Sequence, residues 1–200
     1  MRALVNSDIH VFGKRPDEID LDKTSSSADS IISLAEKMKP FITVSCWHIA
    51  DHENALMWNA YSRNQEGVMI KSQFNSLVNS FGENEREILI SQVGYIDSGQ
   101  PVPFGNIIYP FLFKRNFYKD ESELRCLYDI SPLNKFSYEQ PYPWDKEESS
   151  HGIYIPVDVD ALIHEIVVSP SAPPWYLDLV TAINERFGLK KEVKRSALAK

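Results

Sequence analysis

The chain has 200 residues, 43% hydrophobic and 12% aromatic, which suits one domain with a continuous core. A formal net charge of −7 and a pI of 5.3 argue against a broad phosphate-binding surface. No apolar run is long enough to span a bilayer and the opening residues hold no signal-peptide core, so a cytoplasmic protein with two reduced, buried thiols, Cys46 and Cys126, is expected.

In chain order, residues 9–12 suggest a short strand, and residues 1–27 as a whole are weakly patterned. A helix is predicted over 28–39, capped by Ser27, striped by Ile31, Leu34, Ala35 and Met38, and stopped by Pro40. Residues 41–47 are β-rich and read as a strand. Asp51 is expected to cap a helix over 52–63, with Leu56, Met57, Ala60 and Tyr61 as its apolar side. Residues 67–71 read as a strand. Phe74, Leu77, Val78 and Phe81 then recur at the spacing of an amphipathic helix.

Residues 88–97 are predicted as one strand, closed by the turn Ser98-Gly99-Gln100-Pro101. Residues 107–113 and 121–130 are expected to pair as a hairpin. Residues 131–151, rich in Pro and charge, read as a loop too long for a bare connector. Strands follow at 153–156 and 163–169. Pro174 opens a helix to Phe187, with Trp175, Leu179, Ile183 and Phe187 on its inner face and Gly188 as its stop. A strand around Val193 lies within a basic tail, where Lys190, Lys191, Lys194, Arg195 and Lys200 face Glu192 alone. That tail is expected to be solvated. Strands outnumber helices without strict alternation. The expected class is α+β, a mixed and mainly antiparallel sheet flanked by helices in a single domain over residues 1–200.

The densest chemistry lies in residues 113–127. On an extended strand, Glu121, Glu123 and Arg125 share one face, with Lys114 and Arg115 just upstream. Two carboxylates and a guanidinium are costly to bury unless paired or used. They form either a structural ion-pair ladder or the rim of a polar site. In the second case a glutamate would stabilise an oxocarbenium-like centre as a glycosidic bond breaks. Cys46 and His48 share a strand face, but neighbours two apart seldom aim their reactive atoms at each other. Trp58 and Tyr61, one helical turn apart, are core residues or an aromatic wall for a flat ring. No His-x-x-x-His or Cys-x-x-Cys pair occurs, so no metal is predicted. The phosphate-binding glycine loops and the Gly-x-Ser-x-Gly elbow are also absent.

Ordered motifs run from about residue 41 to 198: Cys46-Trp47-His48, Met57-Trp58-x-x-Tyr61, Gly67-Val68-x-Ile70-Lys71, Val93-x-Tyr95, Phe113-Lys114 and Tyr118-x-x-Glu121-x-Glu123-x-Arg125. Ile163-x-x-Ile166-Val167-Val168-x-Pro170 and Val193-x-x-Ser196-x-Leu198 close the series. As a set they resemble the bacterial family known as domain of unknown function 2971. More distantly the pattern is similar to ADP-ribosyltransferase-like folds, in which a split mixed sheet holds NAD. Residues 1–40 depart from the family's opening, which usually carries a Tyr-rich strand and an Asn-Asp-Pro-like loop.

The resemblance implies NAD as substrate, with Glu123 or Glu121 as the catalytic glutamate and Arg125 or Lys114 meeting phosphate. Trp58, Tyr61 or Tyr95 would stack on nicotinamide, with His48 and Lys71 also counted among the binding residues. A protein or nucleic-acid acceptor and a role as toxin or phage-defence effector would follow. A non-catalytic binding or regulatory protein with a structural charged strand is the alternative. A metal-dependent hydrolase or nuclease using the carboxylates is a third.

Overall fold

The computed structural model describes residues 33–62, 65–82, 87–103, 108–130 and 152–199. In chain order the elements are α1 (residues 33–38), β1 (Ile42–His48), α2 (Ala55–Tyr61), β2 (Val68–Lys71), α3 (Phe74–Ser80), β3 (Leu89–Gln92) and β4 (Gly94–Ile96). There follow β5 (Phe113–Arg115), β6 (Glu123–Asp129), α4 (Val159–Leu162), β7 (Glu165–Val168), α5 (Pro174–Arg186) and β8 (Glu192–Arg195). Single 3₁₀ turns lie at Lys39–Phe41 and Tyr109–Phe111, and a two-turn 3₁₀ helix at Asn116–Glu121. The fold is α+β with mostly antiparallel pairing, as the sequence led us to expect. Among the described residues no helix is long and apolar enough to cross a membrane. The expectations for residues 1–32 and 131–151 lie outside the described residues.

Two compact units emerge, one from Asn6–Ile49 and Glu85–Tyr154, the other chiefly from Ala50–Asn84 and Ile155–Lys200, in each case through their described residues. In the first unit, β6 is the central strand of a sheet ordered β1-β6-β3, and β4 pairs parallel to β5. Its core gathers Met38, Phe41, Ile108, Tyr109, Leu112 and Leu127. In the second unit, β7 is central in the order β2-β7-β8, with β8 parallel to it. All four β7 residues are buried, the pattern of a strand covered on both faces. The expected strand at Val193 is β8, and Gly188 (φ 72°) ends α5 in the left-handed conformation glycine adopts without strain.

Several expectations are corrected. Residues 88–97 are two strands in different sheets, broken at Val93. A Cβ on Gly94 would come within 2.6 Å of the Phe113 ring, so glycine at the start of β4 lets that ring pack against the backbone. Residues 108–112 are not a strand but a 3₁₀ turn, because Pro110 fixes φ and has no N–H for a ladder. The 107–113/121–130 hairpin is therefore absent, and β6 pairs with β1 and β3 instead. As expected, Pro40 stops the α-helix, which ends at residue 38. It occupies the first turn of the 3₁₀ helix Lys39–Phe41, where its missing N–H costs nothing. Residues 152–158 carry no strand, against the expectation for 153–156.

Asn54, not Asp51, caps α2: its side chain accepts from the Leu56 amide at 2.9 Å. This moves the helix start, and Trp58 becomes the buried residue of α2, while Leu56 is 62% and Tyr61 71% exposed. In α5 the predicted inner face is exposed, and Asn184 is the buried residue. The basic tail is largely engaged. Lys191 pairs with Asp160 at 2.8 Å, Lys194 with Glu165 at 2.7 Å, and Arg195 donates to the Ala172 carbonyl at 2.8 Å.

Candidate functional site

The β1–β6 register sets His48 opposite Glu123 and Cys46 opposite Arg125, and β3 adds Ser91 opposite Arg125. Alternation along the strands then turns these five side chains to one face. Glu121 was expected on the same strand face, but it closes the Asn116–Glu121 turn. Ser122, left-handed at φ 39°, separates it from β6. Glu121 nevertheless reaches the same site from that turn, and β4 and β5 supply Tyr95 and Lys114.

Glu123 is the centre of the cluster. It is 4% exposed. Arg125 grips it with Nε at 2.9 Å from Oε1 and Nη2 at 3.2 Å from Oε2. Lys114 Nζ lies 2.8 Å from Oε2, and the Cys46 thiol donates to the same carboxylate. An ionised carboxylate has about four acceptor positions, and these four donors occupy them. Its backbone is tied as well: the amide donates to Tyr95 Oη at 2.9 Å, and the carbonyl accepts from the Val93 amide at 2.8 Å. Lys114 also meets Glu121 Oε2 at 2.5 Å and lies 5.6 Å from the centre of the Tyr118 ring. Arg125 Nη1 donates to the Phe111 carbonyl.

The charges of Glu121, Glu123, Lys114 and Arg125 cancel. Burial would raise the Glu123 pKa, but hydrogen bonds from Arg125, Cys46 and Lys114 outweigh it and hold the group down to about 2. Burial and the bond to Glu123 push the Cys46 thiol up to about 11, although the residue as a whole is exposed. Such a thiol is protonated at neutral pH and is a poor nucleophile. Cys126 is buried, and its pKa is pushed up to about 12, chiefly by burial. Both cysteines are free, and the register Cys46↔Arg125 turns Cys46 and Cys126 to opposite sheet faces. The expectation that both thiols are buried thus holds for Cys126 alone.

His48 Nδ1 lies 2.6 Å from the Glu121 carbonyl, which can only accept, so Nδ1 carries the proton. Its Nε2 is buried and has no hydrogen-bond partner among the described residues.

Six of the nine residues singled out from sequence therefore meet in one unit: His48, Tyr95, Lys114, Glu121, Glu123 and Arg125. Trp58, Tyr61 and Lys71 belong to the other. There Trp58 Nε1 donates to Glu53 Oε2 at 3.2 Å, and Tyr61 projects outward, so the two rings do not form one wall. Lys71, opposite Glu165 in the β2–β7 register, pairs with it at 3.0 Å. Burial raises the Glu165 pKa, but Lys194 and Lys71 more than offset this and lower it.

Sequence reasoning missed Glu53. Its carboxylate accepts from Ser196 Oγ, from the Ala197 amide at 3.0 Å and from Trp58, and so clasps the turn after β8. Ser196 and Ala197 lie more than 130 residues on, and no local spacing signals them. Glu53→Gln is expected to weaken this clasp by about 1–2 kcal/mol. Faster amide hydrogen exchange at Ala197 and Leu198 would register the loss. Unchanged protection would remove the clasp.

Among the described residues no group of three His, Cys, Asp or Glu is placed to hold a metal ion. No family model, curated protein or solved structure matches the chain.

Proposed function

We propose that this protein acts by binding rather than by group transfer, with its charged strand as a structural element. The observation that carries this reading is the saturation of Glu123. A carboxylate that is to stabilise a developing cation must offer it uncompensated negative charge. Arg125 engages both oxygens of Glu123, Lys114 adds to Oε2, and the residue is 4% exposed. Lys114 and Arg125, the residues expected to meet phosphate, are committed to carboxylates in turn. We place the protein in the cytoplasm.

A second reading, NAD-using glycosyl transfer of ADP-ribosyltransferase type, has one specific observation in its favour. Glu121 is half-buried, and only its Oε2 is engaged, by Lys114, among the described residues. Here Glu121 would face the ribosyl cation, Glu123 would anchor Lys114, and the resemblance to split-sheet transferases would extend to a protein or nucleic-acid acceptor.

Calorimetry with NAD at about millimolar concentration, the weak end of specific affinity, separates the two when paired with a nicotinamide-release assay. The binding reading expects neither heat nor nicotinamide. Saturable heat, with release lost in Glu121→Gln, would reject it in favour of transfer.

A further inference from the structure

Helix α5 and its C-cap carry Trp175, Leu179, Ile183 and Phe187 at four-residue spacing, and these are 53%, 45%, 47% and 74% exposed. Four large apolar side chains in one exposed row mark an interaction surface rather than scattered surface hydrophobics. The row runs about 18 Å along the helix. It is an i±4n ridge, the kind that interdigitates in the commonest class of helix–helix packing. A parallel ridge lies beside it, made of Asp178, Ala182 and Arg186, all exposed.

Both ridges are complementary to themselves when reversed. The first reads aromatic, aliphatic, aliphatic, aromatic. The second reads acid, small, base. A twofold axis near residues 181–182 would set Trp175 against Phe187 of a second copy, Leu179 against Ile183, and Asp178 against Arg186, each contact occurring twice. Ala182 at the crossing lets the backbones approach. A parallel pairing would instead oppose Asp178 to Asp178 and Arg186 to Arg186. A closed twofold contact needs one patch that is complementary to itself, and the order of both ridges meets that need.

We propose that this face of α5 is the contact of an antiparallel homodimer, with a second copy of this chain as the occupant. The proposal is independent of whether the protein binds or transfers.

Sedimentation velocity of the full chain tests it. The wild type is expected to be dimeric at about 10 µM, and Leu179→Glu to raise the dimer dissociation constant at least about a hundredfold. Circular dichroism should be unchanged, since Leu179 is already half exposed. Asp178→Arg and Arg186→Asp should each weaken the dimer about tenfold, and the double swap should restore it to within about threefold. A wild-type monomer at about 200 µM, or a dimer indifferent to Leu179→Glu, would overturn the proposal. A double swap no tighter than either single would overturn the antiparallel arrangement.

Discussion

Glu123→Leu is expected to destabilise the protein by about 3–5 kcal/mol, the usual cost of removing one member of a buried ion pair. The loss arises less from the vanished attraction than from what is left behind. Lys114 and Arg125, with side chains 26% and 14% exposed, would keep their charge without Glu123. Lys114 retains Glu121 at 2.5 Å, whereas Arg125 retains the Phe111 carbonyl. The double variant Glu123→Leu/Arg125→Met should therefore be more stable than Glu123→Leu alone, since it removes the stranded cation. Urea unfolding measures both. A loss below about 1 kcal/mol for Glu123→Leu, the value typical of surface pairs, would mean that the cluster is solvated.

The same carboxylate fixes a pH dependence. In the folded state its pKa is about 2, against an ordinary value of 4.5. The unfolded chain therefore takes up this proton first as pH falls. The stabilisation is complete above pH 4.5 and is lost as pH falls through 2. The stability gap between wild type and Glu123→Leu should narrow across that window. Comparing the two proteins isolates this group from Glu53 and Glu165, whose pKa values are also lowered.

Leu127→Ala is expected to cost about 2–5 kcal/mol, through lost burial and the cavity left behind. Leu127 is 0% exposed, lies in the central strand β6 and joins the core of Met38, Phe41, Ile108, Tyr109 and Leu112. Leu56→Ala, the same chemical change, should stay within about 0.5 kcal/mol, because Leu56 is 62% exposed. Thermal unfolding of the pair would show which leucine is core. Equal losses would contradict the position of the α2 cap at Asn54, which turns Leu56 outward.

Much of this was legible in the chain itself, and the reason is locality. β-branched and aromatic runs located β1 and β7, and Val193 marked β8, to within a few residues, because strand preference is a local property; of the three only β7 is buried on both faces. Spacing gave α3, and Pro174 and Gly188 bracketed α5, because caps and breakers act through their own backbone. The choice of Glu121, Glu123, Arg125 and Lys114 rested on the cost of placing charges beside a sheet, and the four do meet.

What distance in sequence hides, only the tertiary structure decided. Position 94 takes no side chain because the Phe113 ring, nineteen positions on, fills that space. Glu53 is a clasp only because Ser196 and Ala197 return to it. The orientation of α5 is the clearest instance. Its sequence is apolar around much of the helix, so periodicity alone could not choose the inner face. Packing against β7 and β8 buried Asn184 and left Trp175, Leu179, Ile183 and Phe187 outside. A helix pattern says which residues share a face, but the surface it meets decides which face is covered.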